Sequence, residues 1–132
     1  MMVFIDTSAF LAILDADDKY HKKAKEKWAE FISLEETLFC NNYILVETFA
    51  LVQNRLGMKA LRTFNDDILP LVNIDWVEES THKAGVSALL TASRKRLSMV
   101  DCVSFDTMRR LEIMKVFTFD PHFTEQGFQC IP

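Results

Sequence analysis

The sequence predicts an α/β fold with a mostly parallel central sheet and helices on both faces. Short apolar runs rich in β-branched and aromatic residues alternate with longer amphipathic segments, and this alternation is typical of strands joined by crossover helices. The chain has 132 residues, few glycines and prolines, and no low-complexity tract. It is therefore predicted to form one domain, residues 1–132, without a long linker.

The strand predictions depend on short apolar runs, and the helix predictions on the spacing of apolar residues. Residues 2–5 and 116–119 are the clearest strands, because each run is almost wholly apolar and is followed by residues that start helices. The expected strands cover residues 2–5, 37–40, 71–77, 116–119 and 128–131, and the expected helices cover 8–14, 20–33, 42–56, 58–69, 78–94 and 99–113.

Helix boundaries are predicted from residues that prefer helix ends. Asn42 is expected to cap the third helix, and Gly57 follows the last turn of that helix. Pro70 is expected to end the fourth helix. Residues 78–94 are acidic in their first turn and basic in their last, as the helix dipole favours. Ser98 is expected to cap the helix that follows.

Composition narrows the classes of function. The net charge is −4 and the pI is near 5.3, so the chain lacks the overall basic field of many nucleic-acid-binding domains. A polyanionic partner would therefore need local basic patches or metal ions. Three widely spaced cysteines without a C-x-x-C pair predict a reduced, cytoplasmic protein. No apolar run approaches the length of a membrane span, and no membrane association is expected.

Two acidic residues follow strands at opposite ends of the chain. Asp6 comes directly after residues 2–5, and Asp120 comes directly after residues 116–119. Ligands of parallel sheets bind outside the carboxyl ends of the strands, so neighbouring strands would bring these two acids to one site. Carboxylates at short distance repel each other unless a proton or a metal ion lies between them. The pattern therefore points to a cation site.

Helix capping is an alternative explanation for three of the acids. Asp6 and Asp120 each precede a helix, where Asp is a preferred cap. Asp101 lies three residues after Ser98, which is the spacing of a capping box. Glu47 has no such explanation, because it lies in the middle of an apolar helix. The nearest cation on that helix, Arg55, is two turns away and is not spaced as an ion-pair partner.

The four acids together suit a hard divalent cation. Carboxylate ligands without Cys or His pairs favour Mg²⁺ or Mn²⁺ over Zn²⁺, and such an ion can activate water and neutralise a phosphodiester. The sequence contains no phosphate-binding G-x-x-x-x-G-K-[ST] loop, no G-x-G-x-x-G fingerprint and no G-x-S-x-G nucleophile elbow.

Four sequence motifs occur in a fixed order along almost the whole chain. They are F-I-D-T-S-A-F near the start, L-V-E in the third helix, L-S-M-V-D-C-V-S-F, and V-F-T-F-D-P-H-F near the end. This arrangement resembles the PIN domain and, more closely, the VapC-type ribonucleases of bacteria and archaea. The resemblance implies that the catalytic, metal-binding acids are Asp6, Glu47, Asp101 and Asp120.

The resemblance carries further expectations. Ser8 corresponds to the hydroxyl residue that supports the first acid, and Thr118 to a hydroxyl position before the last acid. The fold is expected to be a parallel sheet flanked by helices, with Mg²⁺ or Mn²⁺ as cofactor and RNA as substrate. Many relatives are dimeric toxins silenced by a cognate antitoxin, so a homodimer and an antitoxin partner are expected. Glu112 departs from the pattern, because relatives often turn there with glycine.

Basic and aromatic residues are further candidates for the site. Arg94, Lys95 and Arg96 are expected to contact substrate, because they precede the helix that carries Asp101. Charge clusters more often mark a solvated face. His122 is better explained as a packing or capping residue than as a proton shuttle. Tyr20 has no evident stacking role.

Two other functions remain open from the sequence. The chain could be a catalytically idle PIN module that binds RNA or protein. A haloacid-dehalogenase-type phosphatase also begins with an acid at a strand end, but that family needs D-x-D, and this chain has Ser8 at the third position of the motif.

Overall fold

A computed structural model describes residues 1–132 and contains one five-stranded sheet. Every strand pair is parallel, and the strand order is β3-β2-β1-β4-β5. The α/β prediction is confirmed, and the edge strand expected near the end of the chain is present. The strands are β1 (Met2–Ile5), β2 (Thr37–Asn41), β3 (Asn73–Asp75), β4 (Lys115–Phe117) and β5 (Gln129–Ile131).

Seven α-helices connect and flank the strands. They are α1 (Thr7–Leu14), α2 (His21–Ser33), α3 (Asn42–Leu56), α4 (Met58–Thr63), α5 (Glu79–Ala92), α6 (Met99–Arg110) and α7 (His122–Glu125). None is long and apolar enough to cross a membrane.

The sheet forms the centre of an aromatic-rich core. Phe4 and Phe117 lie on the paired central strands and are fully buried. Phe10 of α1 packs edge to face against Phe64, with ring centroids 5.1 Å apart. Burying side chains of this size against the central strands supplies much of the driving force for folding. The core thereby fixes the ends of β1 and β4, where the acids of interest begin.

Two strands are shorter in the structure than the sequence predicts. The expected strand over residues 116–119 ends at Phe117, because its partner Ile5 is the last residue of β1. The Asp6 amide still donates to the Phe117 carbonyl at 3.0 Å, but the chain then turns into α1. Thr118 and Phe119 therefore follow the ladder instead of extending it. The strand expected over 71–77 is likewise limited to residues 73–75.

The cap of α3 was predicted one residue too late. Asn41, the last residue of β2, is fully buried and its side-chain oxygen accepts a hydrogen bond from the Ile44 amide at 2.9 Å. Its amide group donates to the hydroxyls of Ser104 and Thr107 on α6. Asn42 instead accepts from the Val77 amide. Asn41 thus holds α3 and α6 together, and these two helices carry Glu47 and Asp101.

The helix predicted over residues 58–69 is divided into three segments. Helix α4 is followed by a π-helical turn over residues 64–68 and a 3₁₀ turn over 69–71. Pro70 has no amide hydrogen, so regular α-helical bonding cannot continue through it. The helices predicted over 78–94 and 99–113 begin and end within a few residues of α5 and α6.

The turn after α6 has the geometry expected of a glycine. Glu112 has a φ of 58°, in the left-handed region that costs a residue with a Cβ about 1–2 kcal/mol relative to glycine. The backbone therefore makes at this point the turn for which relatives often use glycine, in spite of the larger side chain.

Candidate active site

The first acid lies at the point where the strand order reverses. Strands β2 and β3 lie on one side of β1, and β4 and β5 lie on the other. Such a switch point between β1 and β4 is the usual ligand site of an open parallel sheet. Asp6 follows β1 at this point and is 4% exposed. It begins α1, but its side chain makes no cap hydrogen bond, so capping does not account for it.

Two hydroxyl groups hold the Asp6 carboxylate. Ser8 donates to Asp6 Oδ2 at 2.8 Å, and Thr118 donates to the same oxygen at 2.9 Å. The hydroxyls are oriented in turn by the chain after β4, because the Phe119 amide donates to Ser8 and the Asp120 amide donates to Thr118, each at 3.0 Å. Asp6 Oδ1 accepts no hydrogen bond from the protein. This network ties the ends of β1 and β4 together and holds the Asp6 carboxylate through Oδ2 alone.

Asp101 is fixed by the capping box that its spacing predicts. The Ser98 hydroxyl accepts from the Asp101 amide at 3.0 Å, and Asp101 Oδ2 accepts from the Ser98 amide at 3.1 Å. The box stabilises the start of α6 and also holds the carboxylate in one orientation. Its second oxygen has no hydrogen-bond donor in the protein. Capping and a site role are therefore compatible in this residue.

Asp120 lies in the short segment between β4 and α7. Its Oδ1 accepts from the His122 amide at 2.9 Å, and the His122 Nε2 atom is 3.8 Å from the same oxygen. Ligand atoms of Asp101, Asp120 and His122 all lie within 4.8 Å of one another. The His122 Nδ1 atom is buried without a hydrogen-bond partner. His122 therefore lies at the acidic cluster, although the sequence favours a packing or capping role for it.

Glu47 lies in the middle of α3 and is half-buried. It forms no ion pair, so the hidden salt bridge that could have explained it is absent. Its side chain instead lines an open cavity of about 290 Å³ together with the three aspartates. The structure therefore brings the four predicted acids to one place: Asp6, Glu47, Asp101 and Asp120.

Burial and repulsion from neighbouring acids make three of these carboxyl groups hard to ionise, those of Asp6, Glu47 and Asp101. Burial, with smaller contributions from the charges of Asp101 and Asp120, raises the pKa of Asp6 from 3.8 to about 6, and the Ser8 and Thr118 hydrogen bonds limit the rise. Burial is also the main cause of the raised pKa values of Glu47 and Asp101, and the charge of Asp120 adds to both. A donor set of this kind, made of hard oxygen ligands that repel one another, fits a divalent cation.

Two arginines line the same cavity from its edge. Arg96 precedes Ser98 and was predicted as a substrate contact, whereas Arg55 at the end of α3 was considered only as an ion partner for Glu47. Both side chains are exposed and neither forms an ion pair. The sequence contains one signal that indicates Arg55 as a site residue. Residues 47, 51 and 55 follow the i, i+4, i+8 spacing of a single helix face, and all three line the cavity.

The other members of the predicted basic cluster lie apart from the acids. The Arg94 guanidinium forms an exposed ion pair with Glu125 at 2.8 Å, and this pairing raises the pKa of Arg94. Lys95 is exposed and lines no cavity. Of the three, the structure places only Arg96 beside the acidic cavity.

The chain belongs to the PIN domain family, whose family model matches residues 3–129. The 23S rRNA-specific endonuclease VapC20 of Mycobacterium tuberculosis is 30% identical over 128 residues, covering 96% of this chain and 95% of the relative.

Solved structures agree with this assignment. The crystal structure of Mycobacterium tuberculosis VapC20, described as a sarcin-ricin loop cleaving toxin, matches with a TM-score of 0.85 and 28% identity, over 96% of this chain and 95% of that one. FitAcB from Neisseria gonorrhoeae has the same fold, with a TM-score of 0.71 at 18% identity over 99% of this chain and 97% of that one.

The raised pKa of Asp6 predicts how stability depends on pH in the absence of metal. Because the folded protein holds this proton more tightly than the unfolded chain, the contribution is present below pH 3.8 and is lost as the pH rises through about 6. A shift of this size corresponds to about 3 kcal/mol. Asp6→Asn removes the charge, so its free energy of unfolding should decline less between these pH values, as measured by urea denaturation in EDTA.

The matched control for this measurement is Asp17→Asn, which removes an exposed carboxylate that does not line the cavity. This control should keep the wild-type pH dependence. Mg²⁺ or Mn²⁺ should stabilise the wild type above pH 6 by binding the folded state, and should stabilise Asp6→Asn less. Parallel pH curves for the wild type and Asp6→Asn would show that the buried charge is not the source of the pH dependence.

Proposed function

We propose that this protein is a metal-dependent endoribonuclease that hydrolyses RNA phosphodiester bonds, and that it acts as a VapC-type toxin. The observation that carries this proposal is the convergence of four carboxylates on one cavity at the switch point of the sheet. The similarity to VapC20 supports RNA as the substrate class, since that relative is named a 23S rRNA-specific endonuclease.

The cofactor in this proposal is Mg²⁺ or Mn²⁺. The residues that would hold it are the four acids of the cavity, which offer hard oxygen ligands and have no lysine or arginine within ion-pair distance. When bound, such an ion offsets the charge of the phosphodiester and makes water easier to deprotonate. The residues proposed to hold the ion and support catalysis are Asp6, Glu47, Asp101 and Asp120.

The surrounding residues have supporting parts in this mechanism. Ser8 and Thr118 keep Asp6 in one orientation by donating to Oδ2, and this leaves Oδ1 free for a ligand. His122 lies beside Asp120, and its buried Nδ1 atom has no hydrogen-bond partner in the protein. Arg96 supplies a positive charge to the cavity of the four acids, as Arg55 does, and an RNA phosphate can approach it there.

The site and the family assignment argue against the two alternative functions. A haloacid-dehalogenase-type phosphatase is not supported, because the chain belongs to the PIN family and Ser8 serves as a hydrogen-bond donor to Asp6. A catalytically idle PIN module would have no need for four converging carboxylates, of which Asp6, Glu47 and Asp101 have raised pKa values. Cleavage itself separates the idle module from the nuclease.

The proposal includes protein partners. A toxin that cleaves RNA must be silenced in the cell that makes it, so we expect a cognate antitoxin protein; co-purification with the product of a neighbouring gene tests this. The expected compartment is the cytoplasm, where the RNA substrate is found. We also propose a homodimer, supported by exposed apolar residues on α3 and α5, Val46 and Leu90, which are 69% and 73% exposed.

The central prediction concerns cleavage. The wild-type protein should cut RNA when Mg²⁺ or Mn²⁺ is added and should be inactive in EDTA. Asp101→Asn and Glu47→Gln should each lower the cleavage rate by at least about a hundredfold, because an amide supplies no negative charge to the ion. Rates would be measured on a labelled ribosomal RNA fragment by gel electrophoresis.

Matched controls remove carboxylates elsewhere. Asp17→Asn and Glu26→Gln change exposed acids on other parts of the surface and should keep wild-type rates. Asn at position 101 can still accept the Ser98 amide through its side-chain oxygen, so loss of activity would not reflect loss of the capping box. Cleavage that survives both EDTA and Asp101→Asn would refute the proposed mechanism.

A second prediction separates Arg96 from its neighbours. Arg96→Ala should weaken RNA binding and reduce the slope of log affinity against log salt by about 0.7, the value for one phosphate contact with a single strand. Arg94→Ala and Lys95→Ala should change the slope much less, because Arg94 is paired with Glu125 and Lys95 lies outside the cavity. An unchanged slope in Arg96→Ala would place the RNA elsewhere.

A third prediction tests the homodimer. The Tyr43 hydroxyl contacts His82, so α3 and α5 meet at one surface, and residues 82, 86 and 90 follow the i, i+4, i+8 spacing of a single helix face. Leu90→Glu should shift sedimentation from dimer to monomer. Leu34→Glu, at a residue that is 62% exposed at the end of α2, should leave it unchanged. Monomeric wild-type protein at micromolar concentration would contradict the proposal.

A further inference from the structure

A second cavity adjoins the acidic one. It has a volume of about 400 Å³ and shares Ser8, Leu11 and Arg55 with the cavity of the four acids. Beyond these shared residues it is lined by Lys19, Tyr20 and Phe119, among others. We call this cavity the aromatic groove. A chain that enters the acidic cavity from this side passes the aromatic side chains first and then Arg55, which lines both cavities.

Two aromatic rings form a flat surface in the groove. Tyr20 and Phe119 are stacked, with ring centroids 4.5 Å apart and planes inclined by 4°. Both side chains are partly exposed. The Lys19 ammonium lies over the Tyr20 ring, 4.9 Å from its centroid. Since Phe119 occupies one face of Tyr20, Lys19 covers the other face, and the exposed lysine side chain can move aside for a ligand.

The groove is held in register with the acids by hydrogen bonds. The Phe119 amide donates to Ser8, and Ser8 donates to Asp6 Oδ2. On the other side, the Asp18 carboxylate accepts from the Tyr20 amide at 2.8 Å and fixes the turn before α2. Both rings are therefore attached to short, hydrogen-bonded segments rather than to free loops.

The charges of the groove favour an anionic chain. Lys19 and Arg55 form no ion pair and are exposed, although the whole chain has a net charge of −4. Proteins that bind single-stranded nucleic acid combine such cations with aromatic rings on which bases stack. An apolar peptide would use the rings but would leave both cations without partners.

We propose that the aromatic groove binds the nucleotide next to the scissile phosphate of a single-stranded RNA segment. Its base replaces Lys19 on the face of Tyr20 opposite Phe119, Arg55 contacts the phosphate between groove and acids, and Lys19 moves to the next phosphate. This inference rests on the proposed ribonuclease function and adds a base-binding position to it. Tyr20, Lys19 and Arg55 are positioning residues, because they lie outside the acidic cluster.

The test compares a substrate with bases and one without them. Fluorescence anisotropy would measure the binding of a ten-residue oligoadenylate and of a ten-residue abasic ribose phosphate in Mg²⁺, using Asp101→Asn protein to prevent cleavage. Asp101→Asn protein with no change in the groove should bind oligoadenylate more tightly than the abasic ligand. Tyr20→Leu should weaken oligoadenylate binding by about fivefold to a hundredfold, the range for loss of one stacking residue, and should leave abasic binding unchanged.

Three variants control for folding and for general charge. Tyr20→Phe keeps the ring and should keep the preference for bases, whereas Trp76→Leu removes an exposed aromatic residue outside the groove and should have no effect. Arg55→Ala should lower the salt slope by about 0.7 for both ligands. Arg62→Ala, at an exposed arginine on α4, should leave the slope unchanged.

The outcomes separate this inference from the function it rests on. If wild-type protein cleaves RNA and Tyr20→Leu binds oligoadenylate as tightly as the unaltered groove does, the base-binding proposal is wrong and the nuclease proposal stands. If Tyr20→Leu weakens both ligands equally, the residue acts through folding and the proposal is also wrong. If wild-type protein neither binds nor cleaves RNA in Mg²⁺, the proposed function itself fails.

Discussion

The buried carboxylate of Asp6 is the constraint on which the rest of the site depends. A charge at 4% exposure is costly unless donors or a cation compensate it, and the protein supplies two hydroxyl donors to one oxygen. One hydroxyl comes from the first turn of α1 and the other from the segment after β4. The arrangement therefore requires β1 and β4 to be neighbours, which the strand order provides. Asp120 is then brought close by the hydrogen bond that its amide donates to the Thr118 hydroxyl.

Much of the fold and the convergence of the acids could be predicted because they follow from local patterns. Strand ends of a parallel sheet meet at one edge, so Asp6 and Asp120 could be paired without knowledge of contacts. The Ser98–Asp101 box depends on residues three apart and was predicted correctly. Glu47 was identified by elimination, since no cap or cation near it in sequence explains it. The structure places it in the same cavity.

The features that sequence patterns could not predict depend on long-range contacts. Asn41 and Asn42 are equivalent as local caps, and burial of Asn41 against Ser104 and Thr107 decides between them. The stacking of Tyr20 on Phe119 joins residues that are distant in the chain, so no periodicity reveals it. Arg94 and Arg96 are separated by one residue, yet the first pairs with Glu125 and the second lines the cavity of the acids.

The hydrogen bonds also resolve the competition between capping and ligand binding. Each of the three aspartates uses one oxygen within the protein: Asp6 Oδ2 accepts two hydroxyls, Asp101 Oδ2 accepts the Ser98 amide, and Asp120 Oδ1 accepts the His122 amide. None of the second oxygens has a donor from the protein. A carboxylate anchored by one oxygen is pre-oriented, so it loses little freedom when the other oxygen takes a ligand. A local role in a turn or helix start is therefore no argument against a site role, because it supplies the rigidity that the site requires.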